Sequence, residues 1–166
     1  MRDRPRLRSA AGLPVRPTAR GRGLDPDTLD RADARADAAL IRRGIRDTLS
    51  DAPDITVVGE AGDYGELRAL LRGTACDVLV LDINLPGRSG LDVLHVLKDE
   101  GAALRVLVVS MYPEDQYAIR ALRAGAYGYV NKGGDPALIV AAVRTVAQGR
   151  KYVTPEIAQM LVESLT

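Results

Sequence analysis

Val78-Leu-Val-Leu-Asp-Ile-Asn-Leu-Pro-Gly-Arg-Ser-Gly90 is the stretch that decides the fold. Its first four residues are apolar without interruption, a run too short for a buried helix and too greasy for a strand with one wet face. Such a run marks a strand covered on both sides, as in a parallel sheet between helical layers. It stops at a carboxylate, Asp82. The turn Leu85-Pro-Gly-Arg-Ser-Gly90 then leads into a segment whose leucines fall at 91, 94 and 97, on one helical face.

The same unit repeats in both directions. Toward the C-terminus, Leu104 to Val109 is a second apolar run, ending at Ser110. A helical stretch from Glu114 to Ala124 is closed by Gly125, and Ala126 to Val130 reads as a strand ending near Lys132. Asp135-Pro136 caps a further helix that runs to Gln148. Toward the N-terminus, Ile55-Thr-Val-Val58 is a short β-branched run, followed by a helical face at Tyr64, Leu67, Leu70 and Leu71. Alternating strands and helices with fully apolar strands predict an α/β protein with a doubly wound parallel sheet, wound by right-handed crossovers. Function in such sheets gathers at the carboxyl ends of the strands, where Asp82, Ser110 and Lys132 fall. Each alone is as readily a capping or turn residue. An acid, a hydroxyl and an amine on three successive strands, with a Pro-Gly turn after the acid, point instead to one shared site.

The bulk properties narrow the class. Apolar residues are 46% and charged ones 27% of 166 residues, a globular composition. The net charge of +1 suggests neither nucleic acid nor membrane as a partner, although residues 1–24 hold seven Arg against one Asp. Cys76 is the only cysteine, so no internal disulfide framework exists and a reducing cytoplasm fits. No stretch approaches the roughly 20 apolar residues of a membrane span. His95 has no clustered metal-ligand neighbour in sequence and reads as solvated surface, and Cys76 reads as a small buried hydrophobe.

Three segments carry a family resemblance, in order and at family-like spacing: Val78 to Leu94, Val106-Leu-Val-Val-Ser-Met-Tyr112, and Ala121-Leu-Arg-Ala-Gly-Ala-Tyr-Gly-Tyr-Val-Asn-Lys132. They resemble the signatures of response-regulator receiver domains of two-component systems, closest to the subfamily followed by a LuxR-type helix-turn-helix domain. The resemblance implies a flavodoxin-like fold over about residues 39–153. It further implies phosphorylation of Asp82 by a sensor histidine kinase. Mg²⁺ would be held by Asp82, the main-chain carbonyl of Asn84 and acidic residues near the first strand, of which Asp37 is the candidate. Lys132 would pair with a phosphoryl oxygen and the Ser110 hydroxyl would donate to another. Tyr129 falls at the family's rotating aromatic, and as readily reads as a half-buried strand residue. The product is a switched protein-interaction surface in the cytoplasm, which leaves room for a homodimer, and no enzyme.

Two departures qualify this. An apolar first strand ending in two acidic residues is expected just before Leu40-Ile41, where the chain instead reads Arg31-Ala-Asp-Ala-Arg-Ala-Asp-Ala38. That octet has charges on both faces and no β-branched residue. The expectation is therefore a first strand that is missing or replaced by helix over 26–50, leaving four strands, with residues 1–38 a basic disordered tail and helical extension. Arg, Ala, Asp, Gly and Pro fill 29 of those 38 positions, which fits either a remodelled N-terminus or GC-rich sequence translated out of frame. At the other end, Thr154-Pro155 starts a truncated linker helix over 154–166, and sequence-specific DNA binding is not expected. The competing functional reading is a degenerate pseudo-receiver, or a fragment, acting as a phosphorylation-independent interaction module.

Overall fold

The computed structural model describes residues 6–10, 42–83, 88–110, 116–131 and 135–165. Five strands form one parallel sheet: β1 (Arg6–Ala10), β2 (Thr56–Ala61), β3 (Val78–Asp82), β4 (Arg105–Ser110) and β5 (Gly128–Asn131), in the order β2-β1-β3-β4-β5. Six helices accompany them among the described residues: α1 (residues 42–51), α2 (Tyr64–Gly73), α3 (Gly90–Asp99), α4 (Gln116–Arg123), α5 (Pro136–Ala147) and α6 (Pro155–Glu163). The doubly wound α/β architecture expected from the alternating pattern is present.

The period of two along each strand sorts the core into two layers. Leu79 and Leu81 of β3 and Val106 and Val108 of β4 face a cluster with α2, α3, α4 and α6, where Leu67, Val93, Leu94 and Ile157 are buried. Val78 and Val80, with Leu107 and Val109, face the other cluster, closed by Ile45 and Leu49 of α1 and by Ile139, Val143 and Val146 of α5. All five residues of β3 are buried, as a strand with helices on both faces requires.

The four-strand expectation is corrected. A first strand is neither missing nor replaced by helix: Arg6–Ala10 lies centrally, paired parallel with β2 on one side and β3 on the other. The pentapeptide belongs to the stretch whose composition reads as a disordered tail, and it lacks β-branched residues. The physical reason it serves is that a ladder is made by main-chain N–H and C=O groups, which any non-proline residue supplies. The irregularity in its pairing with β2, between Leu7 and Arg8, is the visible mark of an imperfect fit. Of the helix expected over 26–50, residues 42–50 are helical, and 26–41 lie outside the described residues.

Local chemistry sets the helix starts. Asp63, Ser89, Asp135 and Thr154 each accept a main-chain N–H in the first turn of α2, α3, α5 and α6, and proline follows the cap in α5 and α6.

Candidate functional site

Register across the sheet aligns the polar strand ends like steps. Asp82, the last residue of β3, pairs with Val109, so Ser110 stands one residue further out on β4. Ser110 in turn pairs with Asn131, the last residue of β5, and Lys132 is the next residue in sequence. Neighbouring strands are about 4.8 Å apart and one residue rises about 3.3 Å. A group carried outward on the Asp82 carboxylate therefore extends toward the level of Ser110. Asp82 and Ser110 are the two buried polar residues among those described, 5% and 0% exposed, the rest of the buried set being apolar or aromatic. A carboxylate kept at such a depth stands where a modification would be shielded from bulk water.

The loop beyond Asp82 is held at its far end. The Gly90 N–H donates to the carbonyl of Ile83 at 2.8 Å, so α3 begins directly against the strand end. A Cβ on Gly90 would lie 2.6 Å from Ile83 Cα and 3.1 Å from the Asp82 carbonyl oxygen, which explains why only glycine fits there. The Ser89 hydroxyl accepts the Asp92 N–H at 3.2 Å, and the Arg88 guanidinium sits over the Tyr64 ring, 4.7 Å from its centre. That cation–π contact fastens the loop end to α2. Neither it nor the closeness of Gly90 is marked by any period in the sequence; the Pro-Gly-x-x-Gly spacing is the one available signal.

Asp82 and Ser110 are thus brought together at one edge. Tyr129 is fully buried in the cluster beneath α4, an inward orientation rather than a half-exposed one. Lys132, Asn84 and Asp37 lie outside the described residues. Among the described residues no three His, Cys, Asp or Glu side chains stand close enough to hold a metal. Mg²⁺ ordinarily joins one or two carboxylates to water and phosphate oxygens, and Asp82 is the one of the expected Mg²⁺ donors that lies among the described residues. His95 is exposed on α3 and Cys76 is half-buried, its Sγ 3.0 Å from the Val78 carbonyl.

A parallel five-stranded sheet of this order, with an acid and a hydroxyl buried near one another at its carboxyl edge, agrees with the receiver resemblance of the sequence. Residues 36–144 match the family model described as the response regulator receiver domain, and the chain belongs to that family. It is 34% identical over 125 residues to the response regulator UvrY of Escherichia coli K12, covering 75% of this chain and 57% of UvrY. It is 36% identical over 125 residues to the response regulator GacA of Pseudomonas aeruginosa, covering 75% and 58%. The crystal structure of a two-component response regulator of the LuxR family from Aurantimonas sp. SI85-9A1 superposes with a TM-score of 0.73 at 30% identity, covering 96% of each chain. The chain spans somewhat over half the length of these curated relatives. The family model matches from residue 36, so β1 lies outside the residues it matches.

Proposed function

We propose that Asp82 is the phosphoacceptor of this receiver, taking a phosphoryl group from a sensor histidine kinase in the cytoplasm. The observation that carries the reading is the depth and register of Asp82 beside Ser110. In the transfer, a carboxylate oxygen of Asp82 bonds to phosphorus as the bond from phosphorus to the kinase histidine nitrogen breaks, giving an aspartyl phosphate. Ser110 donates its hydroxyl to one phosphoryl oxygen, and Lys132 meets another as a point charge. Drawing Ser110 toward the phosphoryl group moves the chain that leads to α4 and shifts a two-state equilibrium of the α4–β5–α5 face, Tyr129 included. That face is the surface offered to a protein partner, a second copy among them. The receiver proper is taken as residues 39–153, with 154–166 the start of a linker helix.

Asp82, the Asn84 carbonyl and Asp37 would hold Mg²⁺, which would offset negative charge on the phosphoryl group. Because the sequence reads Arg31-Ala-Asp-Ala-Arg-Ala-Asp-Ala38 where the family resemblance implies an acidic pair, a second reading stands beside the first: a pseudo-receiver that binds its partner without phosphorylation. Labelling with a small phosphodonor separates them. Acid-labile label that disappears in Asp82→Asn supports the first reading; label that survives the substitution removes Asp82 as acceptor, and no label in the parent chain favours the second. Lys132→Ala is expected to keep the fold and uncouple labelling from any partner response.

A further inference from the structure

β1 fills a slot with two walls. On one side, register sets positions 7 to 10 against Val78, Leu79, Val80 and Leu81 of β3, and none of these four is more than 1% exposed. On the other side the same positions stand against Val57, Gly59, Glu60 and Ala61 of β2. Partners in a parallel ladder share a face of the sheet, so each position has its own surroundings. Position 7 lies between two valines, and position 10 between Leu81 and Ala61, both buried. Position 9 has a polar neighbour in Glu60, whose carboxylate pairs with Arg46 at 3.2 Å. Position 8 lies between Leu79 and Gly59, and Leu70 of α2 covers that glycine so closely that a Cβ there would be 2.8 Å from its Cδ1. The slot therefore asks for apolar residues at 7, 8 and 10 and tolerates a polar one at 9. The sequence supplies Leu7, Arg8, Ser9 and Ala10, which fit everywhere except at 8. The ladder to β2 breaks step at that same position: Leu7 pairs with Val57 and Arg8 with Gly59, so Val58 is passed over.

We propose that the space between β2 and β3 is an acceptor site for an extended segment of another polypeptide, apolar where β1 has Arg8, and that β1 is a placeholder which such a segment displaces. Strand addition draws its affinity from main-chain hydrogen bonds and its selectivity from the surroundings of alternate side chains. Any extended segment makes the main-chain bonds of both ladders, so position 8 is where a partner gains on β1. Burying one side chain of valine size there is worth about ten-fold or more in the equilibrium. Against this, β1 has the advantage of its tether. The 31 residues (11 to 41) between it and the described start of α1 give an effective concentration on the order of 1 mM at most. A segment with a ten-fold advantage therefore competes from about 0.1 mM upward.

The test uses the full chain and two fluorescently labelled peptides of residues 4–12, one unaltered and one carrying Arg8→Val, with anisotropy as the readout. Expected is binding of the Arg8→Val peptide to the parent chain at about 0.1 mM, with the unaltered peptide weaker by about ten-fold or more. Binding of both should be lost when Arg8→Val is placed in the full chain, because its own strand then matches the slot. That full-length variant should also show a higher urea midpoint than the parent. Equal binding of the two peptides would overturn the selectivity at position 8 and point to exchange of β1 between copies of this chain. An Arg8→Val peptide bound equally by the parent and by the full-length variant would sit elsewhere, which overturns the inference. No binding of either peptide, or a midpoint no higher in the variant, overturns it as well. None of these outcomes bears on the role of Asp82.

Discussion

Replacing Gly90 by alanine tests whether the strand end and the start of α3 meet as closely as described. The new Cβ would lie 2.6 Å from Ile83 Cα, whereas ordinary contact begins near 3.4 Å. The obstructing atoms are main chain, so no side chain can swing aside and α3 must withdraw from β3 by about 0.8 Å, the difference between those two distances. Forcing a methyl into a packed site costs about 1–3 kcal/mol, and the helix preference of alanine over glycine returns at most about 1 kcal/mol. The net expectation is a loss of about 1–2 kcal/mol, read as a lower urea midpoint with an unchanged slope. Withdrawal also strains the Gly90-to-Ile83 hydrogen bond that fixes the loop after Asp82, so phosphodonor labelling should slow in the same variant. Gly44→Ala is the matched control: nothing lies within 4 Å of its Cβ position in α1, and it should stabilise by about 0.5–1 kcal/mol. Gly90→Ala as stable as the parent, with Gly44→Ala behaving as expected, would refute the close approach.

Three further outcomes are expected. Titrating Mg²⁺ by calorimetry beside the GacA receiver should give weaker binding here, since the sequence offers Asp82 and Asp37 where the family resemblance implies Asp82 and an acidic pair; equal affinity would show that residues such as Asp37 complete a working pocket. Glu100 accepts two hydrogen bonds from Arg68, at 2.7 and 2.6 Å, and this bonding holds its carboxyl below the ordinary glutamate range. A lowered folded-state value means stability present above the unfolded value and lost as the pH falls through the folded one. Urea midpoints of Glu100→Gln should therefore lie below the parent at neutral pH and converge with it in strong acid; a constant gap would exclude the ion pair as its cause. Arg144→Ala, which removes the 2.9 and 3.0 Å bonds to Asp54, should lower the urea midpoint only slightly, and less still in high salt, as for other exposed pairs.

Most of the fold is legible because its strands are buried on both faces. Val78 to Leu81 and Val106 to Val109 can be apolar throughout only where helices cover both sides, and the caps Asp135-Pro136 and Thr154-Pro155 mark helix starts by chemistry independent of packing. Asp82 and Ser110 were legible for the same reason, as the polar residues that end apolar runs. β1 was not. Arg6-Leu-Arg-Ser-Ala has no pattern that separates it from the rest of an Arg-rich stretch, and 31 residues (11 to 41) divide it from the described start of α1, far more than the usual few residues of a βα loop. Its place is set by what β2 and β3 leave open, which is tertiary information. The depth of Tyr129 was illegible too: an aromatic on a short strand next to an exposed segment fits a half-buried position equally well until α4 and α6 are seen to close over it.

The way β1 completes the sheet separates two things that the family normally joins. Without a strand between them, β2 and β3 would each leave a row of main-chain donors and acceptors unpaired in the middle of the protein, and each buried orphan costs about as much as a lost hydrogen bond. That demand is met by main-chain atoms, so a pentapeptide with poor strand preference suffices for the fold. Carboxylate chemistry makes the opposite demand, because it needs particular side chains at the outgoing end of the same strand. There the sequence continues Ala10-Ala11-Gly12, with no acid to offer. The geometry on which the proposed role of Asp82 rests is consequently carried by β3 and β4, which lie within the family match, while in that proposal a second carboxylate has to come from residues such as Asp37. Sheet order and site chemistry can therefore fail independently in this chain: Asp37→Asn should weaken Mg²⁺ binding with no change in the urea midpoint, whereas a proline at Leu7, which removes a main-chain donor from β1, should lower the midpoint first.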